Sequence, residues 1–91
     1  IIPTAFTPND DSVNDTWEIG NIDDIYPSNV VSIYNRWGSK VFESTSGTYN
    51  DEPWSGNYNE KKLPVGSYYY IIEFNDNYTP NATGIVSIIN D

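Results

Sequence analysis

Between residues 67 and 75 the chain alternates: Tyr68, Tyr70, Ile72 and Phe74 fall on one face, Tyr69, Ile71 and Glu73 on the other. A period of two is the signature of a half-buried β-strand. The same rhythm recurs at residues 30–35, where Val31 and Ile33 oppose Ser32 and Tyr34, and at 83–89, where Val86 and Ile88 continue the buried face and Ser87 points out. Shorter apolar runs at 1–6 and 16–19 read as two further strands. After Arg36, the glycine-bearing turn Trp37-Gly38-Ser39 predicts a hairpin whose return strand, 40–44, turns Val41 inward. Residues 45–52, 57–62 and 76–81 are polar and turn-rich; Trp54, beside Gly56, is expected in the core. No window of a dozen residues places apolar side chains at helical spacing.

About seven short strands at intervals of 8 to 12 residues, without a helix, predict one all-β domain over residues 1–91: an Ig-like antiparallel β-sandwich. A chain this short buries only about 60 to 65 % of the surface its unfolded form exposes, so the core is small. With 3 Trp, 8 Tyr and 3 Phe but no Cys, aromatic packing must replace the inter-sheet disulfide of immunoglobulins. Trp37, Trp54, Tyr68 and Tyr70 are the expected contributors.

Charge then narrows the function. Thirteen acidic residues against four basic ones leave a net charge of −9, which repels phosphate backbones and anionic headgroups, so neither nucleic acid nor a membrane surface is an expected partner. No apolar stretch approaches a membrane span, and no basic segment followed by an apolar run marks a signal peptide. The chain also lacks Met and opens on strand-like sequence, which reads as a module excised from a longer protein. Without His or Cys, and with carboxylates in loops at no recognisable acid–base spacing, a non-enzymatic role is expected.

The densest chemistry lies in residues 7–17, where three carboxylates and two side-chain amides stand between Pro8 and Trp17. Carboxylates this close repel one another unless cations, backbone N–H groups or water neutralise them. Two readings stay open: an Asx turn, or a calcium loop in which Asn9, Asp11 and Asp15 supply side-chain oxygens, Val13 a backbone carbonyl, and Asp10 or Asn14 a further ligand. Lack of His and Cys makes Ca²⁺ the metal to expect rather than zinc, copper or iron. The EF-hand register is met only when counted from Thr7, which puts Glu18 at the twelfth position. Asp11-Ser12-Val13 also resembles a bacterial O-glycosylation signal. Arg36, beside Trp37, can dock a partner's carboxylate or pair locally with Glu43 or an Asp across the hairpin, and the local pair is the expectation. Strand alternation leaves Tyr69 as the outward ring of Tyr68-Tyr69-Tyr70, which favours core packing over a sugar-stacking platform.

Several blocks taken in order carry a resemblance: Phe6-Thr7-Pro8-Asn9, Asp11, Val13-Asn14-Asp15-Thr16-Trp17, Ile33-Tyr34-Asn35-Arg36-Trp37-Gly38, Lys40-Val41-Phe42, Trp54-Ser55-Gly56 and Leu63-Pro64-Val65-Gly66-Ser67-Tyr68-Tyr69-Tyr70. Over about residues 5–89 they resemble the gliding-motility-associated C-terminal domain of Bacteroidota, the type B sorting domain of the type IX secretion system. Asp10 and Ser12 depart from the family by standing where glycines are common, and Glu60 occupies a frequent turn-glycine position.

The resemblance implies a non-catalytic C-terminal address that takes an N-terminal cargo, an adhesin or enzyme, to the cell surface or the exterior. Implied partners are the type IX translocon and a PorP/SprF-type outer-membrane protein, met through a docking patch for which Arg36, Trp37, Gly38 and Tyr69 are candidates. The rival expectation is a calcium-dependent carbohydrate-binding or adhesive β-sandwich, which needs two or more coplanar exposed rings. The exposure of Tyr26, Tyr49, Tyr58 and Tyr78 separates the two. A purely structural spacer is a third reading.

Overall fold

The computed structural model describes residues 2–8 and 15–89. Within them the chain forms β1 (Ala5–Phe6), a four-residue helix α1 (Ile22–Ile25), β2 (Val30–Tyr34), β3 (Lys40–Glu43), β4 (Asn57–Tyr58), β5 (Lys61–Lys62), β6 (Gly66–Glu73) and β7 (Ala82–Ile88). Five strands make one sheet in the order β1-β7-β6-β2-β3, while β4 and β5 form a separate two-stranded ribbon. The fold is all-β and sandwich-like, as the sequence leads one to expect. Neighbours in the main sheet are antiparallel except for β1, which runs parallel to β7. Its bonds run from Ser87 N–H to Thr4 C=O (2.8 Å) and from Ile89 N–H to Phe6 C=O (3.0 Å). Pro3, just before it, has no N–H to extend the ladder and is therefore tolerated there.

The period-two pattern places the core correctly. Val31, Ile33, Tyr68, Ile72, Val86 and Ile88 are buried on one face of the sheet, while Tyr69, Glu73 and Ile85 on the other are exposed; Val41 is buried as well, at the irregularity where the β2–β3 register shifts between Ile33 and Tyr34. Along β6 the register aligns Tyr70 with Gly84 of β7, and the Tyr70 ring lies over that glycine. A Cβ at Gly84 would come within 2.7 Å of the Tyr70 hydroxyl, so only glycine lets the ring lie flat there and reach Trp17, 5.1 Å away.

Against the buried face packs a layer made mostly of loop. Trp17 and Tyr49 are fully buried and Trp54 is 1 % exposed. Trp54 touches Phe6, Phe42 and Tyr68 at ring-centroid distances of 5.3, 6.4 and 5.6 Å, and Tyr49 stands edge-on to both Trp17 and Phe42. One hydroxyl ties the layer together: Tyr49 donates to the Trp17 carbonyl (2.5 Å) and accepts from the Trp54 N–H (3.1 Å), while Trp17 N–H bonds the Trp54 carbonyl (2.8 Å).

Three expectations are corrected here. Residues 16–19 keep their alternation, with Trp17 and Ile19 buried and Glu18 exposed, but form no strand. The Trp17 backbone groups bond a loop and a phenol instead of a ladder, and its indole N–H donates to the Pro3 carbonyl (2.8 Å). Helix α1 escaped a twelve-residue window because it is a single turn, set from outside. The Asp23 carboxylate accepts from the backbone N–H groups of Tyr49 (3.1 Å) and Asn50 (2.8 Å) and from the Asn29 amide (2.9 Å), and Asn50 returns a bond by accepting the Asp23 N–H (3.0 Å). Finally, Trp37 is not a core residue but is 75 % exposed. It sits at a hairpin tip, beyond the last inward position of β2.

The 57–62 turn is itself a tight hairpin. Tyr58 pairs with Lys61 across Asn59 and Glu60, both with positive φ (53° and 66°). Glycine suits this two-residue turn, asparagine tolerates it, and glutamate is strained. Glu60→Gly is expected to stabilise the domain by about 0.5–1 kcal/mol, read as a rise in the urea midpoint at unchanged slope.

Burial pushes the Tyr49 hydroxyl far above the usual tyrosine range, partly offset by the hydrogen bond from Trp54. A raised acid pKa favours the neutral form in the folded state. The resulting stability is complete below about pH 10, where the unfolded tyrosine begins to ionise, and is lost as pH rises above it. Tyr49→Phe strands the Trp54 N–H and the Trp17 carbonyl, at an expected cost of about 1–3 kcal/mol at pH 7. Urea unfolding at pH 7 and pH 11 checks both parts: the wild type should lose more stability between the two than the variant.

Candidate functional site

The β2–β3 hairpin is built to hold its tip still. The Asn35 side-chain oxygen accepts from the backbone N–H of Trp37 (3.0 Å) and of Ser39 (2.9 Å), an Asx turn in which one side chain imitates a backbone carbonyl. Two backbone bonds close the same loop, Asn35 N–H to Ser39 C=O (2.9 Å) and Gly38 N–H to Asn35 C=O (3.0 Å). Gly38, at φ 86°, occupies the left-handed region that a side chain disfavours, and this reverses the chain. The result is a rigid loop displaying an indole.

The Arg36 guanidinium carbon lies 4.6 Å from the centre of the Trp37 ring. A guanidinium stacked this way keeps its in-plane N–H donors free for an acceptor. The expected local ion pair is not made: Glu43 is taken by Lys40 at 3.1 Å, and Arg36 has no ion pair among the described residues. That hydrogen bond to Glu43 raises the Lys40 pKa. Being exposed to solvent, the pair contributes little to stability.

Facing the hairpin, residues 63–67 complete a groove of about 180 Å³ lined by Asn35, Arg36 and Trp37 on one side and Leu63 to Tyr68 on the other. Its far wall is fixed as firmly as the near one. The Tyr68 hydroxyl donates to the Pro64 carbonyl (2.8 Å), and the Leu63 N–H bonds the Gly56 carbonyl (2.8 Å). Burial raises the Tyr68 pKa, and the positive charge of Arg36 partly counters the shift. Val65 stands 59 % exposed at the rim.

Arg36, Trp37 and Gly38 thus lie together at one end of the sheet. Tyr69 does not join them, because it leaves the strand on the face opposite Tyr68, aligned with Tyr34 on one side and Ile85 on the other. Leu63, Pro64 and Val65 were not singled out as site residues by the sequence. Their one signal was an aliphatic residue, Val65, held between proline and glycine in a turn where burial is not expected. Of the calcium candidates, Asn9, Asp11 and Val13 lie outside the described residues, as do Asp10, Asn14 and the Asp11-Ser12-Val13 triplet; Asp15 is half-buried. Among the described residues no cluster of three acidic groups is arranged to hold a metal ion.

The four loop tyrosines divide evenly. Tyr49 is buried and Tyr26 is half-buried against Phe74 at 4.2 Å, whereas Tyr58 and Tyr78 are exposed. Every ring–ring contact among the described residues includes a buried ring, so none forms an exposed stacked pair. Tyr78 tops a turn wound around Asp76, whose carboxyl accepts from Thr79 Oγ1 (2.6 Å), Thr79 N–H (2.7 Å) and Tyr78 N–H (2.9 Å). These bonds, the Thr79 hydroxyl's first, hold Asp76 below the usual carboxylate range.

Compared with known families, residues 1–88 match the CHU_C type IX secretion signal domain. The chain belongs to the CHU_C family. Searches of curated proteins and of solved structures returned no match. As a CHU_C domain it carries a type B type IX secretion signal, whose business is with the secretion system and with export across the outer membrane. Secretion-signal families are generally non-catalytic. The Asn35–Gly38 turn with its facing wall offers an exposed aromatic residue, a guanidinium and a groove on a fixed frame.

The division between core and display residues is testable. Trp54→Ala is expected to cost about 3–5 kcal/mol. Trp37→Ala should stay within about 0.5 kcal/mol of wild type. Asn35→Ala, which releases two N–H groups at once, should cost about 1–2 kcal/mol. Urea unfolding followed by circular dichroism separates the three.

Proposed function

We propose that the folded domain is itself the export signal: it is read by surface recognition at the outer membrane and takes a preceding cargo polypeptide, an adhesin or enzyme, through the type IX translocon to the cell surface. A PorP/SprF-type outer-membrane protein is the proposed docking partner, and the domain performs no reaction. The observation that carries the reading is the rigid hairpin tip that exposes Trp37 beside an Arg36 without an ion pair among the described residues, in a family of secretion signals. An exposed tryptophan and an arginine are the residue types that dominate binding energy at interfaces, and here neither is needed to hold the fold. Two sheet edges add to the available surface: β3 is the outermost strand on one side, and β1 covers only the Ser87–Ile88 end of β7 on the other. A partner strand can be added at such an edge through main-chain bonds. A sugar-binding reading has less support, because two of its four candidate rings face inward.

The test fuses residues 1–91 behind a signal peptide and a fluorescent reporter in a type IX-competent host and compares surface delivery with a translocon-deficient strain. Translocon-dependent delivery is expected. Periplasmic retention of the folded fusion in the competent strain would overturn the reading. Among variants that spare the core, Arg36→Glu is expected to reduce delivery severalfold; normal delivery by both Arg36→Glu and Tyr69→Ala would exclude docking through either face.

A further inference from the structure

We infer that the groove between the Asn35–Gly38 turn and residues 63–67 seats a short partner segment in which one carboxylate, met by Arg36, adjoins one aliphatic side chain, inserted between Trp37 and Val65. This inference rests on the docking role proposed above and names the chemistry of what docks. Three observations point to it. The cavity, at about 180 Å³, falls below the roughly 300 Å³ at which small-molecule sites begin, so it suits a single side chain better than a sugar or cofactor. Its walls are mostly apolar, with Trp37, Leu63, Pro64, Val65 and Tyr68 around the space, and burial of an aliphatic group there is favourable. Its one charged lining residue is Arg36, which makes no ion pair among the described residues and presents a planar fork that matches a carboxylate in two bonds.

The charge of the whole domain sharpens the choice. A net −9 repels any strongly anionic partner, so the carboxylate must be solitary, flanked by neutral or basic residues. A domain with few cations thereby uses one of them to select a lone acidic residue in an apolar context. Both walls are hydrogen-bonded in place before anything binds, by Asn35 on one side and by Tyr68 on the other, so little ordering remains to oppose association.

The experiment titrates the isotope-labelled 91-residue domain with the peptide Ac-Leu-Asp-Leu-NH2 and, in parallel, Ac-Leu-Asn-Leu-NH2, following the Trp37 indole and Val65 methyl resonances. Expected are saturable shifts at those two residues with the Asp peptide. The Asn peptide should bind at least tenfold more weakly, and Arg36→Gln should abolish the difference between the two. Equal affinity for both peptides, shifts confined to other surfaces, or no shift at 10 mM peptide would overturn the inference. So would concentration-dependent dimerisation that Arg36→Gln abolishes, which would mark the groove as a contact between two copies of the chain. Delivery of the reporter fusion keeps this result apart from the broader reading. Translocon-dependent export of the wild type together with undiminished export of Arg36→Gln refutes the groove as the docking point and leaves the signal role standing. Failure of wild-type export refutes the signal role, while the titration still decides what the groove binds.

Discussion

The Tyr49 hydroxyl is the constraint from which the rest of the layer opposite the sheet is built. A loop-made layer has no ladder to hold it at a fixed distance from the strands, and its buried backbone groups must still find partners. Tyr49 answers both needs by joining the Trp17 carbonyl to the Trp54 N–H, so that the loop carrying Tyr49 and Trp54 is tied at one oxygen to a segment 32 residues earlier. Its ring then stands edge-on to Trp17 and Phe42, and the two tryptophans join one buried cluster with Val31, Ile33 and Ile72. Aromatic rings bring large apolar areas from few residues, which is how a chain of 91 residues without a disulfide makes one continuous core.

The same economy frees the β2–β3 hairpin tip for display. Turns here are fixed by their own polar side chains: Asn35 at the β2–β3 tip, Asp76 beneath Tyr78, and the reciprocal Asp23 and Asn50 bonds beside α1. Because Asn35 saturates its turn locally, Trp37 is not required to pack for the loop to be rigid. An apolar ring can then stay in water, where the burial it has not yet gained remains available to a partner. This separates two demands, since the interior sets stability while the hairpin surface can vary at little cost to the fold.

Much of the fold was legible in the pattern alone. The alternation of Tyr68, Tyr70, Ile72 and Phe74 put the right side chains on the right face of β6, and Val31, Ile33, Val86 and Ile88 followed the same rule, while Val41 is buried at a register shift. At residues 16–19 and at α1 a non-local bond overrules the local pattern. Residues 16–19 look like a strand because Trp17 and Ile19 are buried, yet burial reports facing and not pairing. A twelve-residue window cannot detect the single turn of α1, whose stability comes from Asn50, 27 positions away. The aromatic character of Trp37 suggests the core, yet it says nothing of whether a hairpin ends before or after a residue reaches the interior. Tyr49 reads as a loop ring, because a lone tyrosine amid Thr, Asn and Asp carries no sign of the two tryptophan backbones it joins.

The sequence by itself determined the class of fold, the buried face of each long strand, the absence of nitrogen and sulfur metal ligands, and the family, because each is written in local periodicity, composition or the order of short motifs. Tertiary structure alone decided that Tyr49 is central, that Trp37 and Arg36 share an exposed groove with Leu63, Pro64 and Val65, and that Tyr69 belongs to a different surface. The physical reason is reach. A strand's facing is set by its own backbone geometry within two residues, whereas a groove wall or a buried hydrogen bond is the meeting of segments some 30 residues apart, and no local pattern encodes which of them will meet.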